Sequence, residues 1–535
     1  MSGPGGFEPG LFEPDPDEVL PSPATGLPAN SAPGSAASSH RQMLKSSAII
    51  GGASVINIAV GLFRTKIAAL ILGPAGVGLI GLLQNLVQTA SNLAAFGLGT
   101  AGTRAIAAAG SDGAARARVR RALLGGSLVL ALLGGAATWL LRVPLARWAL
   151  GDAAQASVIS WLALGTVFSV LGGAQVALLV GLRRIGDAAG ITIGSALAGS
   201  LAGVGAVVLA GHDGIAVFVL APLAAAWLVG AWFVWRLPPA ELAPAPSPAA
   251  VRAEFRSLLG AGAAFLVAGV GTTLAQLVAR ALIQHRLGAA AVGQFQASWM
   301  ISIVYVGFVL QAMGADYYPR LTEAIDRPAD AHRLIDEQSE VALLVSAPVL
   351  LGTLGAAPWI IPLLYADAFA PAAEILRWQI LADLFKIASW PLGYVLLARG
   401  AARTYMAGEL AASAVLIGAL WVLLPLAGLP ASGIAVLIAY ALYLPVLAVI
   451  VRRITGYRWS RQVAGLFAAV FAAALAVMAL ARFSSLAALT VGALFAAIAA
   501  AHALVRLDEA LPGFLRRPVG AWRALTARRG GRTHR

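Results

Sequence analysis

Five cations, Arg64, Lys66, Arg280, Arg377 and Lys386, stand inside long apolar runs of this chain. Burying such a charge in hydrocarbon costs about 2.5–3.5 kcal/mol even on the lenient insertion scale. Each must therefore snorkel to an interface or line an aqueous cavity. Facing a cavity, an arginine fork matches a phosphate group, and Arg64 with Arg280 would offer two forks, with Lys66 and Lys386 as further charges. Asp383 is the carboxylate placed to couple transport to a cation. Equally, Glu374 with Arg377 and Asp383 with Lys386 are i, i+3 pairs that would neutralise one another for packing. Gln84, Gln88 and Ser91 recur on one helical stripe, and Gln276 follows Thr272 and Thr273 in a later run. Such groups would bond sugar hydroxyls or hold helices together.

Catalysis has no comparable foothold. Cysteine is absent, and the six histidines form neither HExxH nor HxH, so ligands for a metal are lacking. There is no nucleophile–base pair, carboxylate dyad or phosphate-cradling glycine loop. The sequence predicts no cofactor, no metal, no catalytic residue and a protein that is not an enzyme.

The elements that must position these groups are membrane helices. Apolar residues make up 59% and charged residues 12% of the 535, against about 45–50% and ~25% in soluble chains. No soluble fold hides that much hydrocarbon, and the excess lies in runs near the ~20 residues that span a bilayer. The spacing predicts an all-α polytopic membrane protein with about fourteen transmembrane helices between residues 46 and 505. The net charge of +14 sits mainly in short connectors between apolar runs, which reads as a topology signal and not as a nucleic-acid partner. With the N-terminus inside, the inner segments carry 29 Lys and Arg against 4 in the outer loops. Both termini are therefore expected in the cytoplasm, and the short outer loops leave no room for a periplasmic domain.

Self-similarity divides the chain further. Leu72-Gly73-Pro74-Ala75-Gly76-Val77-Gly78 is echoed by Leu287-Gly288-Ala289-Ala290-Ala291-Val292-Gly293, Arg64 by Arg280, Arg104 by Arg320, and Gly181-Leu182-Arg183-Arg184 by Gly400-Ala401-Ala402-Arg403. The offsets are 215, 216, 216 and 219. The expected organisation is a disordered leader (1–40), an N-terminal six-helix lobe (41–240), a C-terminal six-helix lobe (241–455), an extra helix pair (456–505) and a basic tail (506–535). An even number of spans per copy makes the lobes parallel, around a central cavity.

The chain resembles the Wzx-type oligosaccharide flippases of the MATE-like multidrug/oligosaccharidyl-lipid/polysaccharide (MOP) exporter superfamily. The resemblance rests on Leu44-Lys45-Ser46-Ser47, Leu72 to Gly78, Asp316-Tyr317-Tyr318-Pro319-Arg320-Leu321 and, above all, Ile375-Leu376-Arg377-Trp378-Gln379 through Lys386 to Ser389-Trp390-Pro391-Leu392-Gly393-Tyr394. It covers roughly residues 41 to 452, and O-antigen and enterobacterial common antigen translocases are the most similar in kind. It implies an inner-membrane flippase that moves an undecaprenyl diphosphate-linked oligosaccharide from the cytoplasmic to the periplasmic leaflet by alternating access, with a polysaccharide polymerase and glycosyltransferases as working partners. Lipid II flipping and cation-coupled drug export are the alternatives within the superfamily. A membrane glycan polymerase or ligase is the alternative outside it. The long leader and the helix pair beyond twelve depart from many members of the family.

Overall fold

The computed structural model describes residues 33–237 and 247–507. Most of the expected leader, the stretch 238–246 between the lobes and the tail from 508 lie outside the described residues. The helices are α1 (Pro33–Ala95), α2 (Leu98–Ala108), α3 (Gly113–Leu140), α4 (Arg142–Leu145), α5 (Ala156–Gly181), α6 (Ile185–Ala210), α7 (Ile215–Trp235), α8 (Pro248–Leu287), α9 (Ala289–Ala324), α10 (Pro328–Leu364), α11 (Ala372–Ala398), α12 (Ala402–Ala427), α13 (Ala431–Thr455), α14 (Arg461–Leu480) and α15 (Ser485–Arg506). No strand occurs among the described residues. The first helix begins inside the segment expected to be disordered.

Among the described residues ten segments are long and apolar enough to cross a membrane, where the spacing predicts about fourteen spans. Two of them, Gly51–Ala95 and Ile185–Trp235, are double-length and broken midway, at Gly73 and at the 3-10 turn Gly211–Gly214. Outside the ten, the described residues of α9 include a shorter apolar stretch, Ala289–Val304. Side-chain caps start several helices: Asp112 accepts from the amides of Ala114 and Ala115 (2.9 and 3.0 Å), and Ser247, Ser460 and Ser484 cap α8, α14 and α15.

The backbone carries the duplication more sharply than the side chains do. Gly73 (φ 61, ψ −169) and Gly288 (φ 85, ψ 176), 215 residues apart, break the chain in the same way. Further on, Arg183 (φ 59) matches Gly400 (φ 73) and Gly211 (φ 56) matches Gly428 (φ 61), both 217 apart. The flanking amides agree: Arg183 N bonds Val180 O and Arg184 N bonds Leu179 O, as Gly400 N bonds Leu397 O and Ala401 N bonds Leu396 O. The structural register after α5 is thus 217, which corrects the 219 read from side-chain identity. An arginine here occupies a left-handed site that its repeat partner fills with glycine, at a cost of about 1–2 kcal/mol. Arg183→Gly is accordingly expected to raise stability by about 1 kcal/mol, and Gly400→Arg to lower it as much; thermal midpoints in detergent check this, and two unchanged midpoints contradict it.

The two copies meet at their first motifs. A Cβ on Gly78 would collide with the Ala289 carbonyl and lie 2.7 Å from Gly293 N; one on Gly293 would collide with the Pro74 carbonyl and lie 3.1 Å from Gly78 N. Residues 74 and 78 are the 215-offset partners of 289 and 293, so the contact is reciprocal, as at an isologous two-fold interface. An apolar cluster containing Leu72, Leu83, Val292 and Phe295 spans both copies at this end. At the opposite end the lobes are less symmetric. The first half of α8 leans on the N-terminal lobe, with Leu258 joining a cluster formed by Leu98, Leu123 and Leu178, and Gly262 backing onto Phe96 and Gly97. Within the C-terminal lobe, 72% of the apolar window of α11 is buried but only 11% of that of α12, so α11 is its central helix and α12 an outer one. The extra pair α14 and α15 packs on the outside of α10.

Candidate functional site

Between the two copies lies a cavity of about 250 Å³, bordered by both limbs of α1, by α7, by α9 and by the segment after α10. Its polar lining includes Asn57, Arg64, Gln84, Gln296 and Tyr365. The close backbone contact of Gly78 and Gly293 joins the two copies beside it.

The local chemistry of α7 explains how Arg64 is held there. Pro222 lies inside α7 and has no N–H, so the carbonyl four residues earlier, that of Phe218, loses its helical partner. Arg64 Nη2 donates to that carbonyl, and its guanidinium lies 3.9 Å from the centre of the Phe218 ring. Its Nε is buried and makes no hydrogen bond within the protein. The cation is thus anchored on one side and retains an unused donor beside the cavity.

Lys66, two residues on, points elsewhere. Its ammonium donates to the Pro362 carbonyl (2.8 Å) in the last turn of α10, where unpaired carbonyls and the helix dipole favour a cation. Lys66 caps a helix of the other lobe and is not among the cavity residues, against expectation.

Arg280 does not share the cavity as an equal of Arg64 either. It is 2% exposed, with Nε on Gln296 Oε1 (2.9 Å) and Nη1 on the Gln276 carbonyl (3.1 Å), beside the rings of Phe295 and Trp299. Gln296 stands between Arg280 and the cavity. The offset partner of Gln296 is Gly81, and the two face each other: a Cβ on Gly81 would lie 2.9 Å from the Gln296 amide. Gln296 restrains Arg280, whereas Gly81 offers no such amide and Arg64 is held instead by the Phe218 carbonyl and ring. This asymmetry replaces the expected pair of equivalent forks.

The remaining expected residues divide. Gln84 borders the cavity. Gln88 is exposed and donates to Asn92 Oδ1 (2.8 Å), and Asn92 Nδ2 donates to Thr273 Oγ1 (3.5 Å) in α8. Ser91 is 3% exposed, Gln276 gives its backbone carbonyl to Arg280, and neither lines the cavity. Asp383 and Lys386 sit within the C-terminal lobe: Ser302 donates to Asp383 Oδ2 (2.7 Å), and the Lys386 ammonium lies 5.4 Å from the centre of the Tyr440 ring. Nearby, Tyr443 donates to Glu409 (2.9 Å) in a small aromatic pocket with Trp390, Tyr394 and Tyr405. Arg377 forms no ion pair with Glu374 among the described residues. Instead its Nε reaches the Leu354 carbonyl (3.5 Å), which Pro358 leaves without a helical donor. Asn57, Phe218, Gln296 and Tyr365 belong to the site without having been expected there. The only signal for Phe218 was the proline four residues later.

Known proteins resemble this arrangement at two levels. The family model described as "Polysaccharide biosynthesis protein" matches residues 67–374. The lipid III flippases of Escherichia coli (strain K12) and Shigella flexneri are each 24% identical over 413 residues, covering 75% of this chain and 96% of theirs. Among solved structures, the inward closed conformation of the lipid II flippase MurJ superposes with a TM-score of 0.64 at 11% identity, covering 85% of this chain and 99% of that one. The inward-facing conformation of a multidrug resistance MATE family transporter of the MOP superfamily gives 0.61 at 16%, covering 76% and 94%. An outward-facing MATE conformation gives 0.52. At these identities the structural likeness speaks for the fold alone: a MATE- and MurJ-like bundle built from two repeats. The match over more than half of its length shows that the chain belongs to the polysaccharide biosynthesis protein family.

Proposed function

We propose that this protein is a flippase for lipid-linked saccharide precursors in the bacterial inner membrane, moving an undecaprenyl diphosphate-linked, O-antigen-like oligosaccharide from the cytoplasmic to the periplasmic leaflet. The observation that carries the reading is Arg64, a cation between two repeats with an unused buried donor beside the cavity. A diphosphate supplies the charge and the acceptor oxygens that such a guanidinium lacks. Asn57 and Gln84, which also line the cavity, offer amides to the first sugars. The kinship with lipid III flippases supports a polyprenyl-linked saccharide as cargo, and a cavity with Arg64 at its wall repels the cationic drugs of an exporter.

In this reading the structure is the cytoplasm-open half of the cycle. The Gly78–Gly293 contact is the closed periplasmic gate, and rocking of the lobes breaks it to release the saccharide outward. Arg64 holds the diphosphate, Arg280 is a reserve charge behind Gln296, Lys66 keeps α10 in register, and Asp383 with Lys386 is the polar centre that takes up the coupling ion. Both termini lie in the cytoplasm, where glycosyltransferases deliver the substrate, and a polymerase receives it outside. Expression in a strain that lacks its O-antigen flippase tests the assignment: restored surface glycan with normal membrane insertion supports it. Abundant, correctly inserted protein without surface glycan contradicts the O-antigen substrate.

A further inference from the structure

A second recess lies where α11, α13 and the α13–α14 linker meet, remote from α1. It measures about 250 Å³ and is lined by Leu392, Val449, Arg452, Tyr457, Arg458 and Trp459, with Ala448. Arg452 and Arg458 are exposed, as are Arg453 and Arg461 beside them. None of these four forms an ion pair among the described residues. Elsewhere at this end of the bundle arginines do find carboxylates: Arg184 with Asp187, Arg320 with Asp316 (2.9 Å) and Arg399 with Asp326 (3.1 Å). The nearest acids on α10 are otherwise engaged, Asp336 by Tyr457 Oη (2.6 Å) and Ser460 N (3.3 Å), Glu340 by Gln462. Trp459 adds a buried indole N–H with no acceptor in the protein.

An apolar track leads to this basic pocket. Leu442, Val446 and Val449 recur at i, i+4 and i+7 along the outer face of α13, each at least half exposed, and that stripe continues at Arg453. Hydrocarbon lies along such a stripe, and the pocket at its foot therefore sits at headgroup depth. A free phosphate has no use for the stripe, whereas a diacyl lipid uses both parts.

We propose that this recess binds the phosphate of an anionic glycerophospholipid, with its acyl chains along α13 and its headgroup between Arg452, Arg458 and the Trp459 indole. Basic pockets between helices at the cytoplasmic membrane surface take such lipids. The site lies on α13 and the linker that leads into α14, independently of what the central cavity carries.

The test is native mass spectrometry of the full-length protein in mixed micelles, titrated separately with dioleoyl phosphatidylglycerol, dioleoyl phosphatidylcholine and inorganic phosphate. The expected result is a preference for phosphatidylglycerol over phosphatidylcholine of roughly tenfold or more, at roughly fivefold per arginine. Arg452→Gln with Arg458→Gln is expected to erase that preference, Arg452→Lys with Arg458→Lys to keep most of it, and Trp459→Phe to cost roughly threefold. Equal retention of the two lipids by the natural protein overturns the proposal, as does an undiminished preference in the glutamine double variant. Displacement of phosphatidylglycerol by millimolar inorganic phosphate also overturns it, because the site is then a phosphate site and not a lipid site.

Discussion

Arg64→Ala is expected to cut translocation by roughly ten- to a hundredfold while leaving the protein inserted and folded. A hydrogen bond to a charged group contributes about 1.5–3 kcal/mol, which converts to that range of rate or occupancy. Insertion itself becomes easier without a cation in the span. Arg64→Lys keeps the charge but loses the fork, so its loss is expected to be smaller. Arg64→Glu is expected to be worst, because it sets a carboxylate against the phosphates in a partly dry cavity. Arg280→Ala is expected to behave differently. Arg280 is buried against Gln296 and two aromatic rings, so its removal leaves the Gln296 oxygen unpaired at a cost of about 1–3 kcal/mol of stability. The thermal midpoint should fall, and transport per folded molecule should fall much less than for Arg64→Ala. Glycan display normalised to membrane abundance, with thermal melts alongside, separates the two. Normal display by Arg64→Ala removes Arg64 from substrate binding.

Gly293→Leu carries the other large effect. Its Cβ would meet the Pro74 carbonyl and, 3.1 Å away, the Gly78 nitrogen, and backbone cannot yield as a flexible side chain does. The helices must separate at the motif where both repeats touch, which in the proposed cycle opens the gate. We expect near-complete loss of function, with the conformational equilibrium shifted away from the present state by more than the 1–3 kcal/mol typical of overpacking. Gly78→Leu is expected to do the same from the other side, since the contact is reciprocal. Cysteine pairs spanning the two motifs would report the change: the natural chain has no cysteine, so each introduced pair is the only reactive one. Unchanged cross-linking and transport in Gly293→Leu would show that the contact is not a gate.

Much of the fold was legible because hydrocarbon length and repeats write themselves directly into sequence. Leu72 to Gly78 and its echo gave the duplication, and the shared backbone of Gly73 and Gly288 is its structural form. The later offset misled because Gly181 and Gly400 are similar residues in different roles: Gly181 still belongs to α5, whereas Gly400 is the left-handed residue matched by Arg183. The site was only half legible. Composition finds charges in apolar runs, but their partners lie 154 and 296 residues away for Arg64 and Lys66. No local pattern tells that one faces a cavity and the other caps α10. A proline-orphaned carbonyl is a signal that was present, at Pro222 for Arg64 and at Pro358 for Arg377, and it becomes readable only once helix neighbours are known. Gln296 escaped notice because an amide in an apolar helix is unremarkable until Gly81 is seen opposite it.

Translocation by the purified protein tests the proposed function most directly. The full chain is reconstituted into liposomes that carry a fluorescent undecaprenyl diphosphate-linked oligosaccharide in one leaflet, and the fraction reached by a membrane-impermeant quencher is followed over time. The natural protein should carry label between leaflets until both are populated, and Arg64→Ala vesicles of equal protein content should lag far behind. Label that stays as one-sided with the natural protein as in protein-free vesicles, with and without proton and sodium gradients, would contradict flipping by this chain.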